Sequence, residues 1–251
     1  MASAPTVAVI LAAGKGTRLK SKYAKALFPL CGTPLAWYPI RAARQAGIDR
    51  VVLVVGYQAA AVQAVVGEAA EYALQAEQKG TGHAVLAAEE ALRGFTGTVF
   101  VHCVDAPLLP AETIADLLAA HRAQGNAATV LTTLVPDATG YGRIVRDDGA
   151  VARIVEHKDA SEAQRQINEI NTGIYCFEAP RIFEVLHGVT PNNAQGEYYL
   201  TDVVEHLIAR GARVGAEIAP DERLVAGIND RVQLAEAEAT LRAAIRLRHL
   251  R

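Results

Sequence analysis

A loop that combines glycines with cationic side chains follows the first apolar run of the chain. Residues 7–11 (VAVIL) are continued by AAGKGTR, which ends at Arg18. Gly14 and Gly16 permit positive φ angles and let backbone N–H groups approach a polyphosphate closely. Lys15 and Arg18 add positive charge at the same place. The segment therefore predicts a binding site for a nucleoside triphosphate where a first strand ends.

The spacing of this loop differs from that of two better-known phosphate loops. A P-loop requires G-x-x-x-x-G-K-[ST], and no such run follows Gly14. A dinucleotide-binding fingerprint requires a third glycine three residues after the second, where this chain has Leu19. The glycines alone leave an ordinary strand–helix turn as an equal alternative, and the cationic residues favour the triphosphate.

Composition limits the classes of protein that the chain can belong to. Its 251 residues, 51% of them apolar and 21% charged, suit one large α/β domain. The net charge of −2 provides no general attraction to nucleic acid or to an anionic membrane, so neither is predicted as a partner. The three cysteines lack the spacing of a disulfide framework or a zinc site. The N-terminal segment has no basic region before its short apolar run, and we expect a cytoplasmic location.

The elements that must position the loop follow from the apolar pattern. Short continuous apolar runs, typical of strands buried on both faces, occur at residues 7–11, 51–55, 99–102 and 128–134. Between the last two runs, residues 111–124 place Ile114, Leu117 and Leu118 on one helical face. Strands that alternate with helices predict an α/β fold with a doubly wound, mostly parallel sheet, similar to a Rossmann fold.

The second half of the chain has a looser pattern. Residues 142–146 and 151–156 flank Asp-Asp-Gly, which predicts an inserted β-hairpin with a tight turn. Residues 170–177 are typical of another buried strand, and residues 200–210 and 231–250 of helices.

The glycine-rich loop, with Lys25 and the pair Pro34 and Leu35 after it, resembles the signature of sugar-nucleotide pyrophosphorylases. Further segments resemble, in order, those of the bacterial N-acetylglucosamine-1-phosphate uridyltransferases, the uridyltransferase half of a bifunctional enzyme. They lie at residues 75–84, 140–144, 154–160, 170–173, 192–202 and 227–231. The resemblance covers nearly the whole chain, and it implies a GT-A-like nucleotidyltransferase fold and a role in making cell-wall precursors.

The resemblance also implies a nucleotide site. The residues that would bind UTP are Leu11, Ala12, Ala13, Gly14, Lys25, Gln75, Gly80 and Thr81. The carboxamide of Gln75, which has both a donor and an acceptor, would bind the uracil edge. Arg18 and Lys25 would be the catalytic residues, because they would neutralise the triphosphate. By itself a glutamine is more often a solvated polar residue, and we interpret His83 as a packing or helix-capping residue rather than a catalytic one.

A metal and a sugar site follow from the same resemblance. Asp105 and Asn229 would bind Mg²⁺, which prefers a few oxygen ligands shared with substrate phosphates. An aspartate before Pro107 is about as often a turn or N-cap residue. The residues that would line the sugar site are Cys103, Val104, Gly142, Glu156, Asn171 and Asn229. The family usually has Tyr-Gly where this chain has Cys103 and Val104, so the sugar is less well defined than the nucleotide.

The implied reaction is the transfer of a uridylyl group from UTP to N-acetylglucosamine 1-phosphate, with release of pyrophosphate. Alternatives are a pyrophosphorylase for glucose 1-phosphate or dTTP, and a regulatory protein that binds sugar nucleotides. We expect a catalytic domain at residues 1–229 and a connecting helix at residues 230–251. The chain has no hexapeptide repeat, so the acetyltransferase half of the bifunctional enzymes is not predicted for it. Without that half we expect a monomer or a weak oligomer, from a piece of a longer protein or a stand-alone relative.

Overall fold

The structure, a computed structural model, describes residues 4–250. In chain order the strands are β1 (Thr6–Leu11), β2 (Pro29–Leu30), β3 (Thr33–Pro34), β4 (Arg50–Val55), β5 (Glu71–Leu74), β6 (Gly97–Cys103), β7 (Ala128–Leu134), β8 (Arg143–Asp147), β9 (Ala150–Val155), β10 (Glu169–Ala179) and β11 (Val214–Ile218). The α-helices are α1 (Trp37–Gln45), α2 (Ala59–Val66), α3 (Thr81–Leu86), α4 (Ala111–Ala123), α5 (Glu162–Arg165), α6 (Arg181–Leu186), α7 (Asp202–Ala209) and α8 (Arg231–His249).

Nine of these strands form one mixed sheet. Its main order is β11-β7-β10-β6-β1-β4-β5, and β8 extends from β10 with β9 beside it. Strands β6, β1, β4 and β5 are parallel neighbours, and so are β11 and β7. Strand β10 is antiparallel to both β6 and β7. The predicted α/β fold with a mostly parallel sheet is confirmed, whereas the direction of β10 is not encoded in an apolar run.

The central strands are buried on both faces, which explains their continuous apolar sequences. In β1, Val7 and Val9 pack into one core cluster, while Ala8 and Ile10 pack into the other, and all four are fully buried. Helix α4 covers one face of the sheet with the stripe that its spacing predicts, since Ile114, Leu117 and Leu118 are buried. Because β6, β1, β4 and β5 run in the same direction, their carboxyl ends lie at one common edge of the sheet. Ligands bind at this edge in folds of this kind.

The predicted hairpin and the predicted C-terminal helix both form. Strands β8 and β9 are joined at Asp148 and Gly149, whose φ angles of 46° and 80° are those that a two-residue type I′ turn requires. The side chain of Asp230 accepts hydrogen bonds from the N–H groups of the first turn of α8, so that it caps this helix. Arg251, the last residue of the predicted helix, lies outside the described residues. Within residues 4–250, no helix is long and apolar enough to cross a membrane.

A buried tyrosine hydroxyl provides a test of this core. The hydroxyl of Tyr175 has no hydrogen-bond partner among the described residues, and an unpaired buried polar group costs about 1–3 kcal/mol. We expect Tyr175→Phe to leave the free energy of unfolding unchanged or to raise it by about 1 kcal/mol, as measured by urea denaturation. Tyr38→Phe is the matched control, because the Tyr38 hydroxyl donates to the carbonyl of Leu30 and its loss should destabilise the fold. A clear loss of stability in Tyr175→Phe would contradict the prediction.

Candidate active site

A cleft of about 360 Å³ opens at the edge of the sheet where β1 and β6 end. The residues predicted for the nucleotide that line it are Leu11, Ala13, Gly14, Lys25, Gln75, Gly80 and Thr81. The other predicted residues in its wall are Arg18, Cys103, Val104, Asp105 and Asn229. The fold therefore brings together side chains from four distant parts of the sequence.

The glycine-rich loop is shaped by only one of its two glycines. Gly16 has a φ of 68°, and a Cβ atom placed on it would lie 3.0 Å from the Cβ of Lys25, so the loop and Lys25 approach closely because this residue lacks a side chain. Gly14, which also permits a positive φ, does not adopt one, and it borders open space. Ala12 lies below the cleft rather than in its wall: it is buried and its N–H donates to the carbonyl of Val54.

Two cationic and two oxygen-bearing side chains form a polar cluster in the cleft. The Nζ atom of Lys25 lies 2.7 Å from Oδ2 of Asp105 and 3.3 Å from Oδ1 of Asn229. The Nη2 atom of Arg18 donates to the same Asn229 oxygen at 2.9 Å. Only 12% of the Lys25 side chain is exposed, so this ion pair is less screened by water than a surface pair. The cluster holds a positive group between two oxygens at the end of β6.

The C-terminal segment fixes the far side of this cluster. The N–H of Ile228 donates to the carbonyl of Asp105 at 2.7 Å. The N–H of Asn229 donates to the side chain of Gln233, one turn into α8, also at 2.7 Å. Nε of Arg231 in turn donates to the carbonyl of Leu19, just after the glycine-rich loop. Asn229 therefore reaches the cleft because the start of α8 is tied to both Asp105 and the loop.

Gln75 lies on the opposite side of the cleft and is only 3% exposed, so it is not the solvated glutamine that was the alternative interpretation. Its Nε2 lies 3.1 Å from the carbonyl oxygen of Gly80 and 3.0 Å from Nδ1 of His83. Gly80 has a φ of 105°, and a Cβ atom on it would lie 2.6 Å from the carbonyl oxygen of Tyr198. This close approach, which only glycine allows, fixes the position of the loop after Gln75.

Three of the predicted sugar residues converge next to the cleft but outside its wall. A Cβ atom on Gly142 would lie 3.4 Å from Cβ of Asn171 and 3.5 Å from Oε1 of Glu156. The N–H of Asn171 donates to the carbonyl of Gly142 at 2.9 Å, and the hydroxyl of Thr201 donates to Oε1 of Glu156 at 3.2 Å. Burial raises the pKa of Glu156, the hydrogen bond from Thr201 opposes that rise, and nearby carboxylates such as Asp202 add to it.

Cys103 and Val104 lie where the cleft meets these sugar residues. The Sγ of Cys103 lies 3.8 Å from the carbonyl oxygen of Gly173, whose N–H donates to the side chain of Asn171. Burial and the charge of Asp105 raise the pKa of the Cys103 thiol, so it stays protonated and is a poor nucleophile. Val104 is buried, and its N–H donates to the carbonyl of Leu11.

The structure adds residues that the sequence pattern did not assign. Thr17, Gln78, Ala84 and Glu197 also line the cleft, together with Gly16 of the glycine-rich loop. Glu197 belongs to a matched segment, residues 192–202, and this membership is the sequence signal that could have selected it. Its proximity to the Gly80 loop is visible only in the structure. Thr201 belongs to the same segment, but a hydroxyl that acts through a neighbouring carboxylate has no spacing signature.

An α/β fold whose mixed sheet carries a cationic and carboxylate-lined cleft at its edge is typical of a nucleotidyltransferase. The family model described as nucleotidyl transferase matches residues 7–222, and the chain belongs to this family. The crystal structure of UDP-glucose pyrophosphorylase complexed with UDP-glucose has the same fold, with a TM-score of 0.75 and 20% identity over 96% of this chain and 99% of that chain.

Relatives that are much more similar in sequence carry the name bifunctional protein GlmU. The protein of Geobacillus thermodenitrificans (strain NG80-2) is 50% identical over 245 residues, which are 97% of this chain and 53% of that protein. The protein of Pelotomaculum thermopropionicum is 53% identical over 239 residues, 95% of this chain and 52% of that protein. These similarities confirm the resemblance found in the motifs. The chain spans about half the length of the curated relatives that it matches.

The raised pKa of Glu156 predicts how stability depends on pH. Because its pKa in the folded state lies above the ordinary value of 4.5, ionising this carboxyl group destabilises the fold, and the cost is absent below that value and grows as pH rises. We expect Glu156→Gln to be more stable relative to the unsubstituted protein at pH 8 than at pH 5, as measured by urea denaturation. Glu68→Gln, at an exposed glutamate, is the control. An equal difference at both pH values would contradict the prediction.

Proposed function

We propose that the protein transfers a uridylyl group from UTP to N-acetylglucosamine 1-phosphate and releases pyrophosphate. The observation that carries this proposal is the cluster of Lys25, Asp105, Asn229 and Arg18, which lies across one cleft from the buried Gln75. Cations suited to a triphosphate and a carboxamide suited to a base then face the same space. The likeness to proteins named GlmU supports this choice within the nucleotidyl transferase family.

The nucleotide would lie across the glycine-rich loop. Ala13 and Gly14 leave room for it, since both line the cleft and neither carries a side chain larger than a methyl group. The base would lie against Gln75, Gly80 and Thr81, with the triphosphate directed towards Arg18 and Lys25. Ala12 would support the loop from below through its hydrogen bond to Val54.

The reaction needs positioning and charge neutralisation rather than a covalent intermediate. A phosphate oxygen of the sugar 1-phosphate is already anionic, so it can attack the α-phosphorus of UTP in line without a general base. Arg18 and Lys25 would balance the negative charge that builds up on the α-phosphate and on the leaving pyrophosphate. Cys103, the thiol in the cleft wall, stays protonated and takes no part as a nucleophile.

The donor set of the cleft fits Mg²⁺. Asp105 offers carboxylate oxygens and Asn229 an amide oxygen, and Mg²⁺ takes a few such oxygen ligands and shares substrate phosphates. Asp105 and Asn229 would hold it, and the contacts of the Lys25 ammonium group with both side chains support this assignment, because their oxygens lie close enough together to contact one cation. Bound there, the metal would supply charge stabilisation at the phosphate oxygens.

The sugar would occupy the space beside Gly142, Glu156 and Asn171. Gly142 provides close approach, and the side chains of Glu156 and Asn171 provide an acceptor and an amide for the hydroxyl and N-acetyl groups. Cys103 and Val104 would border the same sugar, and Asn229 would contact its phosphate side. We also propose residues 1–229 as the catalytic domain and residues 230–251 as a connecting helix. The protein would be cytoplasmic, and this part of it alone would be a monomer or a weak oligomer.

The proposal is tested by measuring pyrophosphate release with Mg²⁺ and a panel of nucleotides and sugar phosphates. UTP with N-acetylglucosamine 1-phosphate should give the highest kcat/KM, above UTP with glucose 1-phosphate and dTTP with either sugar. Asp105→Ala should lower kcat by about 10²-fold or more, in the range of losses known for electrostatic groups, with an unchanged circular dichroism spectrum.

Asp116→Ala is the matched control for that substitution, because Asp116 is exposed on α4, away from the cleft. No turnover with any pair, despite binding of UDP-sugars, would contradict the enzymatic proposal and favour a regulatory protein. Near-normal turnover in Asp105→Ala would contradict the metal assignment alone.

A further inference from the structure

The carboxamide of Gln75 is held in one orientation by two acceptors. Its nitrogen carries two hydrogens, and both are used, one by the carbonyl of Gly80 at 3.1 Å and one by Nδ1 of His83 at 3.0 Å. A backbone carbonyl can only accept a hydrogen bond, so the nitrogen rather than the oxygen of Gln75 must face Gly80. The remaining group, Oε1, is left to a ligand in the cleft.

This arrangement fixes the tautomer of His83 as well. Because Nδ1 accepts from Gln75, the neutral imidazole must carry its proton on Nε2. A proton on Nδ1 would set one donor against another and would favour a flipped carboxamide. The ring is held in place by α3, whose Gly82 N–H donates to the carbonyl of Tyr198 at 2.8 Å, and it lies 6.1 Å from the Tyr198 ring.

We propose that His83 is a positioning residue that sets the preference for one type of base. Held by His83 and Gly80, Gln75 presents an acceptor to the cleft. That acceptor can bind the N3–H of uracil or thymine, but it faces a lone pair on N3 of cytosine, which repels it. His83 is not in the wall of the cleft, so it acts through Gln75 rather than on the nucleotide. The inference rests on the proposed function, in which Gln75 contacts the base.

The charged groups near His83 do not compete with Gln75 for its Nδ1 atom. Its outer side borders a surface groove shared with Glu77, Lys79, Glu89 and His187. Glu77 and Lys79 pair with each other at 2.5 Å, and His187 contacts Glu89 at 3.0 Å. Each charged neighbour thus has a partner of its own, and the Nδ1 side of His83 faces Gln75.

The test compares equilibrium binding of UTP and CTP to the protein and its variants at pH 8 by calorimetry, so that neither the sugar nor turnover enters the result. His83→Phe removes the acceptor and retains an aromatic ring of similar size. It should lower the ratio of UTP to CTP affinity by about fivefold to tenfold, the effect of about one hydrogen bond. His83→Asn should restore the ratio to within about twofold, because the Asn oxygen can accept in place of Nδ1.

A second measurement separates positioning from loss of structure. At saturating UTP, kcat of His83→Phe should stay within about threefold of the unsubstituted protein, while KM for UTP rises, because the phosphates and their cations are untouched. If His83→Phe does not fold, His83→Leu has the same expected effect. An unchanged UTP to CTP ratio in the apolar variant, or an equal loss in His83→Asn, would overturn the role of His83 and leave the proposed function standing. An unsubstituted protein that binds neither nucleotide would instead contradict the proposed function.

Discussion

The ion pair between Lys25 and Asp105 is the contact on which the candidate site depends, because it joins segments that the chain keeps far apart. Asp105 follows the end of β6, Lys25 follows the glycine-rich loop, and Asn229 completes the contact from the segment before α8. A partly buried ammonium needs a partner to offset its desolvation. Gly16, which lacks a side chain, allows the loop to approach Lys25, and the carbonyl of Asp105 accepts a hydrogen bond from Ile228. The backbone is therefore fixed around this ion pair on three sides of the cleft.

The parallel and antiparallel parts of the sheet position different groups of candidate site residues. The parallel strands β6, β1, β4 and β5 end at the side where Gln75 and the glycine-rich loop lie, as is usual for nucleotide sites at the carboxyl ends of parallel strands. The antiparallel β10 pairs with both β7 and β8, and it thereby brings Asn171 beside Gly142. Cys103, at the end of β6, lies at the boundary between these two parts. The change of strand direction therefore places the candidate sugar residues beside the candidate nucleotide cleft.

Much of this fold can be predicted from the sequence, for reasons that are specific to each element. Strands such as β1 and β7 are recognisable because burial on both faces leaves continuous apolar runs. The edge strands β5 and β11 escape prediction because solvent exposure removes that signal, as Leu74 and Ile218 show with exposures of 63% and 55%. In the site, ordered motifs selected most of the side chains in the cleft. Motifs do not show which glycine takes a positive φ, nor that His83 forms a hydrogen bond with Gln75, because both depend on how the loops fold. The loop after Gln75, for example, is placed by the contacts of Gly80 and Gly82 with Tyr198.

The hydrogen bond between the side chains of Arg18 and Asn229 joins residues that are 211 positions apart. During synthesis from the N-terminus, β1 and the glycine-rich loop are made early, yet the cluster around them cannot close until residue 229 has been made and has docked. Contacts of such long range are slow to form, because the intervening chain must be ordered first. An unfinished polypeptide therefore contains the loop and its cations without the amide that organises them. The candidate site is therefore incomplete in a nascent chain, and its polar cluster forms only when nearly all of the residues up to Asn229 have folded.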